Sequence, residues 1–390
     1  MTDSLPLALA LFAFAAAVIT AGGVGLSRLA DQLADKTGWG EALLGGLFLA
    51  GVTSLPDFAA SVSAAADGYP TLALGNILGS MAVNFAFLAV GDVIYRKANL
   101  EHAAASSGNM MQASLLVVLL SLPALAMTTP ELSWLGVHPV TPVLLVAYLA
   151  GYRLVRRDFA APMWSPRRTI HTVEDKPDRR QGGRHSLTRL WSSFAALAAV
   201  TALAGWALMS AAEVVVDRTG LSQSLMGTFF TAVFTSLPEL VTTVAAIRYG
   251  ALTLAVGNIL GTNCLNVLVI GVADIAYRDG SLYHAVTQTQ LFWLMITVLL
   301  TGILLLGFLR RERYGIARMG FESFLVAVIY LGAIETATVT GGGASTATGS
   351  AIGTTTAVTS AGCVTVTMTD PGRSSGGRGP RPEARAGALQ

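Results

Sequence analysis

Charged residues are scarce in this chain: 12% of its 390 residues, about half the share found in an ordinary soluble domain. With so few charges and 53% hydrophobic residues, a water-coated globule is excluded and a bilayer becomes the natural solvent. Cysteine is nearly missing as well. Cys264, inside an apolar run, and Cys363, near the end, can build neither a disulfide framework nor a cysteine metal site, and they leave the redox compartment open. Nor is there an excess of one sign of charge. A net charge of +2, with the basic residues clustered, gives no nucleic-acid groove. The first apolar run follows Met1, Thr2, Asp3 and Ser4 without a basic n-region, so it reads as a first spanning helix and not as a cleaved signal peptide.

Long apolar runs are what the chain does have. A span needs roughly 20 apolar residues, and ten stretches qualify: 5–28, 41–65, 70–95, 109–128, 137–155, 190–215, 220–247, 251–277, 286–308 and 316–335. They are continuous, whereas barrel strands alternate in polarity over about 10 residues, so an all-α membrane protein is expected. The organisation that follows is a five-helix repeat at 5–155, a basic linker at 156–189, a second five-helix repeat at 190–335, and a low-complexity tail at 336–390. Lys and Arg set the orientation. Ten of them fall between Arg153 and Arg189, which places that loop in the cytoplasm together with Arg96, Lys97, Arg310, Arg311 and Arg313, and leaves the N-terminus outside. The loop is too poor in apolar residues to bury a core, and reads as a tether near lipid headgroups. The tail, rich in Gly, Ser and Thr, is expected to be disordered.

The chain is duplicated. Adding 182 to any position from Thr53 to Arg96 lands on its counterpart without a gap, and 20 of the 44 pairs are identical. Thr53-Ser54-Leu55-Pro56-Asp57 returns as Thr235-Ser236-Leu237-Pro238-Glu239, and Gly75-Asn76-Ile77-Leu78-Gly79 as Gly257-Asn258-Ile259-Leu260-Gly261. An odd number of spans per half inserts the second half upside down relative to the first, giving ten transmembrane helices as two inverted-topology repeats of five.

Asp57 and Glu239 are the acids near the middle of spans, where an unpaired charge costs at least ~2.5 to 3.5 kcal/mol on insertion scales. A structural ion pair is the plain alternative, but no Lys, Arg or His lies at matching depth. Pro56 and Pro238 lack an N–H, so each helix should break and free the carbonyls of Val52 and Phe234. Thr53, Ser54, Thr235 and Ser236 add hydroxyl oxygens on the same turns, unless they simply bond backwards to their own helix. Asn76, Ser80 and Asn84 recur at intervals of four, as do Asn258, Thr262 and Asn266, so each triplet lines one helix face. The flanking glycines also suit close helix packing. Two carboxylates among hydroxyl, amide and carbonyl oxygens form a hard-ligand set, suited to Ca²⁺ and also to Na⁺.

These two motifs resemble the alpha repeats of the sodium/calcium exchanger family within the cation/calcium antiporters, over roughly residues 5 to 335. The resemblance implies a transporter, not an enzyme, that works without a cofactor by alternating access, the first and sixth helices sliding across a core formed by the others. It implies Asp57 and Glu239 as the Ca²⁺-binding acids, and Thr53, Ser54, Thr235, Ser236, Ser80 and Thr262 as flanking ligands with Asn84 and Asn266 nearby. Three departures stand out. Asp57 replaces the more usual Glu, Met81 replaces an Asn that the second copy keeps as Asn263, and Asn84 and Asn266 are both neutral. Ile77 and Ile259, where the proton-coupled branch shows Ala, favour Na⁺ over H⁺ as the counter-ion. The expected partners are Ca²⁺, Na⁺ and membrane lipid, with a monomer as the working unit in a cell membrane. H⁺-coupled exchange, a passive cation channel and a non-transporting scaffold remain as alternatives.

Overall fold

The computed structural model describes residues 4–37, 50–95, 97–134, 136–160, 163–164, 186–312 and 320–342. Of the tail expected at 336–390, residues 336–342 instead continue the last helix; the rest of the tail, the start of the second span and nearly all of the basic linker lie outside the described residues. Helices α1 Leu5–Thr37, α2 Ala50–Thr53, α3 Leu55–Ala66, α4 Pro70–Ile94, α5 Leu100–Ala103, α6 Ser107–Thr128 and α7 Val140–Ala160 make up the first half. The second half follows with α8 Leu187–Thr219, α9 Gln223–Leu225, a π-helical stretch Met226–Thr231, α10 Ala232–Thr235, α11 Leu237–Tyr249, α12 Leu252–Ala276, α13 Gln288–Arg310 and α14 Phe321–Gly342.

The 182-residue offset governs the secondary structure as well as the residues. Adding it to the limits of α1 (5 + 182, 37 + 182) gives 187 and 219, the limits of α8; α4 maps in the same way onto 252–276, which is α12, and α2 onto 232–235, which is α10. Helix starts carry ordinary capping chemistry. Ser106, Ser186 and Ser222 accept from the amides of Asn109, Arg189 and Leu225 at 3.1, 3.3 and 3.1 Å. Thr287 and Gln290 form a capping box at the start of α13. Gly220 and Gly250 close α8 and α11 in the left-handed region, at φ 71° and 85°.

Among the described residues, six helices are by themselves long and apolar enough to cross a membrane: α1, α4, α6, α8, α12 and α13. The broken pair 223–235 and 237–248, bent by 43°, makes a seventh. The other expected spans are helical too. The second is described from 50 onward as α2 and α3, α7 closes on Arg153, Arg156 and Arg157, and α14 occupies 321–342. Large apolar side chains point outward along these helices: Val118, Leu125, Leu203, Leu306 and Leu331 are each more than half exposed. Such a surface fits hydrocarbon and not water.

The two halves grip each other reciprocally. α3 packs against α8, and α11 against α1. Glycines set how closely: a Cβ on Gly205 would lie 2.5 Å from the Pro56 carbonyl oxygen, and a Cβ on Gly23 would lie 2.4 Å from Pro238 Cβ. These two glycines are themselves 182 apart (23 + 182 = 205). Each long helix therefore crosses the other half's broken helix at its proline, and only a residue without a side chain admits that approach.

Candidate functional site

Both helices break where the prolines require it. Pro56 stands in the first turn of α3, so it cannot donate to a carbonyl in α2, and Ser54 takes a non-propagating backbone at φ −79°, ψ −2°. Ser236 does the same at φ −91°, ψ 4°, ahead of Pro238. The restart places Asp57 and Glu239 in the first turns of α3 and α11, at the positive end of each helix dipole. It also buries them: Asp57 is 1% exposed and Glu239 0%.

The structure brings the two motifs from both halves together. Ser80 donates to Asp57 Oδ1 at 2.9 Å, Asn76 Nδ2 to the same oxygen at 3.3 Å, and Asn266 Nδ2 to Oδ2 at 3.4 Å. Asn266 comes from the opposite half, so it crosses the repeat boundary to reach its acid. Thr235, also from the second half, lies 3.5 Å from the Ser80 hydroxyl and donates to Asn76 Oδ1 at 3.4 Å.

Around Glu239 the equivalent bonds are not made. Both of its carboxylate oxygens are buried without a hydrogen-bond partner, with the Thr53 hydroxyl beside them and Asp57 within Coulombic reach. Thr262, the counterpart of Ser80, has an unpartnered hydroxyl, as do Ser54 and Ser236. Asn84, the counterpart of Asn266, donates instead to Asn263 Oδ1 at 2.9 Å, and Asn263 in turn donates to the Met81 carbonyl at 3.2 Å. Asn258 turns to Thr242 at 3.2 Å and leaves its own Oδ1 without a donor. Buried, unpaired oxygens thus belong mostly to the second half, on Glu239, Ser236, Thr262, Asn258 and Asn266, with Ser54 and Asn84 Oδ1 from the first. Buried acceptors without donors are costly, and a hard cation is what such oxygens would bind.

Two of the candidate hydroxyls bond backwards along their own helices. Thr53 donates to the Ala50 carbonyl at 3.3 Å and Thr235 to that of Thr231 at 2.8 Å. Among the described residues no group of three or more His, Cys, Asp and Glu could hold a metal. Any cation at this centre must take hydroxyl, amide or carbonyl oxygens along with the two carboxylates.

Sequence reasoning passed over several contributors. Ser61 accepts from Asn76 at 3.0 Å, and its counterpart Thr243 is buried with an unpartnered hydroxyl; their 182-residue register was the available signal. The π-helical stretch went unforeseen. It brings Thr228 so close to α4 that a Cβ on Gly79 would sit 2.2 Å from the Thr228 carbonyl oxygen, which explains the glycines of that motif through packing.

The sodium/calcium exchanger protein family matches this chain over residues 7–155 and 189–339. The sodium/calcium exchanger MaX1 of Methanosarcina acetivorans is 32% identical over 119 residues, 29% of this chain and 33% of that protein. In fold the chain is similar to the sodium-calcium exchanger NCX_Mj, with a TM-score of 0.57 at 17% identity over 85% of this chain and 99% of that one. It is similar also to the H⁺/Ca²⁺ exchanger CAX, with a TM-score of 0.62 at 12% identity over 86% of this chain and 85% of the other. The family match covers both repeats and both acid-bearing motifs, and the chain belongs to the sodium/calcium exchanger family of multi-pass membrane proteins.

Proposed function

We propose that this protein is a secondary active antiporter that exchanges Ca²⁺ for Na⁺ by alternating access, through a single site centred on Asp57 and Glu239. The observation that carries this reading is Glu239, a fully buried acid with two unpaired oxygens beside a second acid. Two such groups in one dry centre repel each other unless positive charge sits with them. One divalent cation neutralises both, and so do two monovalent ions. Because the two loads compete for the same charge, entry of one releases the other.

The ligands come from both halves: Asp57, Thr53, Ser54, Ser80 and Asn84 from the first, and Glu239, Thr235, Ser236, Thr262 and Asn266 from the second. The reading places ten spans in two inverted repeats of five, with the N-terminus outside and the basic 156–189 loop in the cytoplasm of a cell membrane. The reciprocal packing of α1 on α11 and α8 on α3 supports two equivalent long helices that slide across a core formed by the others.

H⁺-coupled exchange is the second reading, favoured by the same unpaired carboxylate, which a proton would neutralise as a cation does. Counterflow in sealed vesicles separates the two. With pH clamped on both sides, an outward Na⁺ gradient should drive ⁴⁵Ca²⁺ uptake. Uptake that follows an imposed pH gradient and ignores Na⁺ would replace Na⁺ by H⁺, and uptake that needs no counter-ion would mark a channel.

A further inference from the structure

The 182-residue offset continues past the proposed transport site into a pair of matching clamps. Asp274 Oδ1 accepts from the Leu282 amide at 2.9 Å, and its Oδ2 accepts from the His138 amide at 2.9 Å and the Thr141 hydroxyl at 2.6 Å. Asp92 repeats the pattern. Its Oδ1 accepts from the Leu100 amide at 2.6 Å and its Oδ2 from the Gly320 amide at 2.6 Å; 100 + 182 is 282, and 138 + 182 is 320. Each aspartate thus ties the loop after its own helix to the start of a helix in the other half, α14 for Asp92 and α7 for Asp274.

One difference between the two clamps adds an acid. Where the Asp274 clamp has Tyr283, the Asp92 clamp has Glu101 (101 + 182 = 283). Glu101 is 5% exposed. Its Oε1 accepts from the Ser323 hydroxyl at 2.6 Å, while Oε2 is buried without a partner. That free oxygen points into the clamp: a Cβ on Gly320 would lie 2.9 Å from Glu101 Oε2 and 3.4 Å from Asp92 Oδ2. The two acids therefore flank the same glycine.

We propose that Glu101 is a proton-binding site at the seam between α4 and α14, a pH sensor confined to one face that sets how firmly the start of α14 is held. With the proton on, Oε2–H supplies the donor the seam lacks, and no like charge faces Asp92. With the proton off, Glu101 confronts Asp92 from α4 and Glu322 from α14, both acids. Its neighbour His102 and Arg311, at the end of α13, are engaged with each other: His102 Nδ1 lies 2.7 Å from the Arg311 carbonyl, and Arg311 Nη2 donates to the His102 carbonyl at 3.4 Å. The one charged residue of α12, also packed on this short helix, is Asp274, which is bonded in the other clamp. Burial first, and the Asp92 charge second, push the Glu101 carboxyl up from its ordinary 4.5 to about 7. A folded-state value raised in this way favours the fold at low pH, and that advantage is lost as pH rises from 4.5 through about 7.

The test uses the full-length protein and its Glu101→Gln variant, which keeps the shape and removes the titration. The regulatory part rests on the antiporter reading, so two readouts do not depend on transport. Infrared difference spectra between about pH 6 and about pH 8, one unit either side of the midpoint, should contain a carboxylic C=O band that the variant lacks, because protonation falls from roughly 90% to roughly 10% over that interval. The melting temperature of wild type should fall across the same interval while that of the variant stays level. In proteoliposomes, ⁴⁵Ca²⁺ exchange should respond to pH with a midpoint near 7 when pH is varied on the face bearing Lys97 and Arg310, and Glu101→Gln should flatten that response while matching the wild-type rate at low pH. Should Glu101→Gln fail to fold, Glu322→Gln keeps Glu101, removes a repelling charge and should move the midpoint lower. An unchanged C=O band and an unchanged melting profile in Glu101→Gln would overturn the proton site. An exchange response that survives in the variant while the band and the melting profile change would overturn the regulatory role alone, and loss of exchange at every pH in wild type would count only against the antiporter reading.

Discussion

Replacing Glu239 with Gln removes one negative charge from a position where neither carboxylate oxygen has a hydrogen-bond partner and the Thr53 hydroxyl is the donor beside them. If a cation supplies the compensation, the variant loses one member of a buried charge pair, a change worth roughly 3 to 5 kcal/mol. At about 1.4 kcal/mol per tenfold, Ca²⁺ binding should weaken on the order of 100- to 4,000-fold, and ⁴⁵Ca²⁺ flux in proteoliposomes should fall to background. The ion-free fold should gain, because no bonded donor is orphaned and a buried unpaired charge disappears. Asp57→Asn should behave differently. Asp57 accepts from Ser80, Asn76 and Asn266, and an amide cannot accept all three, so at least one buried donor is left unsatisfied at about 1 to 3 kcal/mol. Thermal unfolding in detergent, with and without Ca²⁺, separates these effects. Glu239→Gln should melt at or above the ion-free wild type and lose the Ca²⁺-induced upward shift, whereas Asp57→Asn should melt lower. Wild-type flux in Glu239→Gln, or equal destabilisation by the two variants without ions, would refute the asymmetric site.

Gly79→Ala places a methyl 2.2 Å from the Thr228 carbonyl oxygen, a backbone atom that cannot swing aside; it should destabilise by about 1 to 3 kcal/mol, read as a lower melting temperature. Gly302→Ala, inside α13 with nothing within 4 Å of the new Cβ, should stabilise by up to about 1 kcal/mol in the same assay. Asp274→Asn cannot accept from Leu282, His138 and Thr141 together, and should cost about 1 to 3 kcal/mol of stability. Because Asp274 bonds to none of the candidate site residues, the variant's Ca²⁺ affinity, measured below its melting transition, should match wild type.

Much of this protein was legible in its sequence. Scarce charge and long apolar runs determined that it is a bundle of membrane helices, because a bilayer leaves the backbone no partner but itself. The 182-residue duplication determined the equivalence of the halves, which recurs at the limits of α1 and α8, α4 and α12, and α2 and α10. Proline before each acid determined the two helix breaks, a local consequence of a missing N–H.

What the sequence did not decide is how the matched residues pair across the interface. Asp57 and Glu239 look alike along the chain, yet one is held by three donors and the other faces unpaired oxygens. Asn84 and Asn266 are identical residues at matched positions, yet Asn266 serves Asp57 while Asn84 turns to Asn263. Met81 against Asn263 is the visible difference between the copies there, and its effect depends on which side chains meet across the midline, residues 179 and 209 positions apart. Gly23 and Gly205 likewise stand in register in the sequence, but only the crossing of each long helix over the other half's proline shows why neither can carry a side chain. Residue type and spacing set what each half can do; packing between the halves, which no local pattern encodes, sets which of two equivalent carboxylates is left without hydrogen-bond partners.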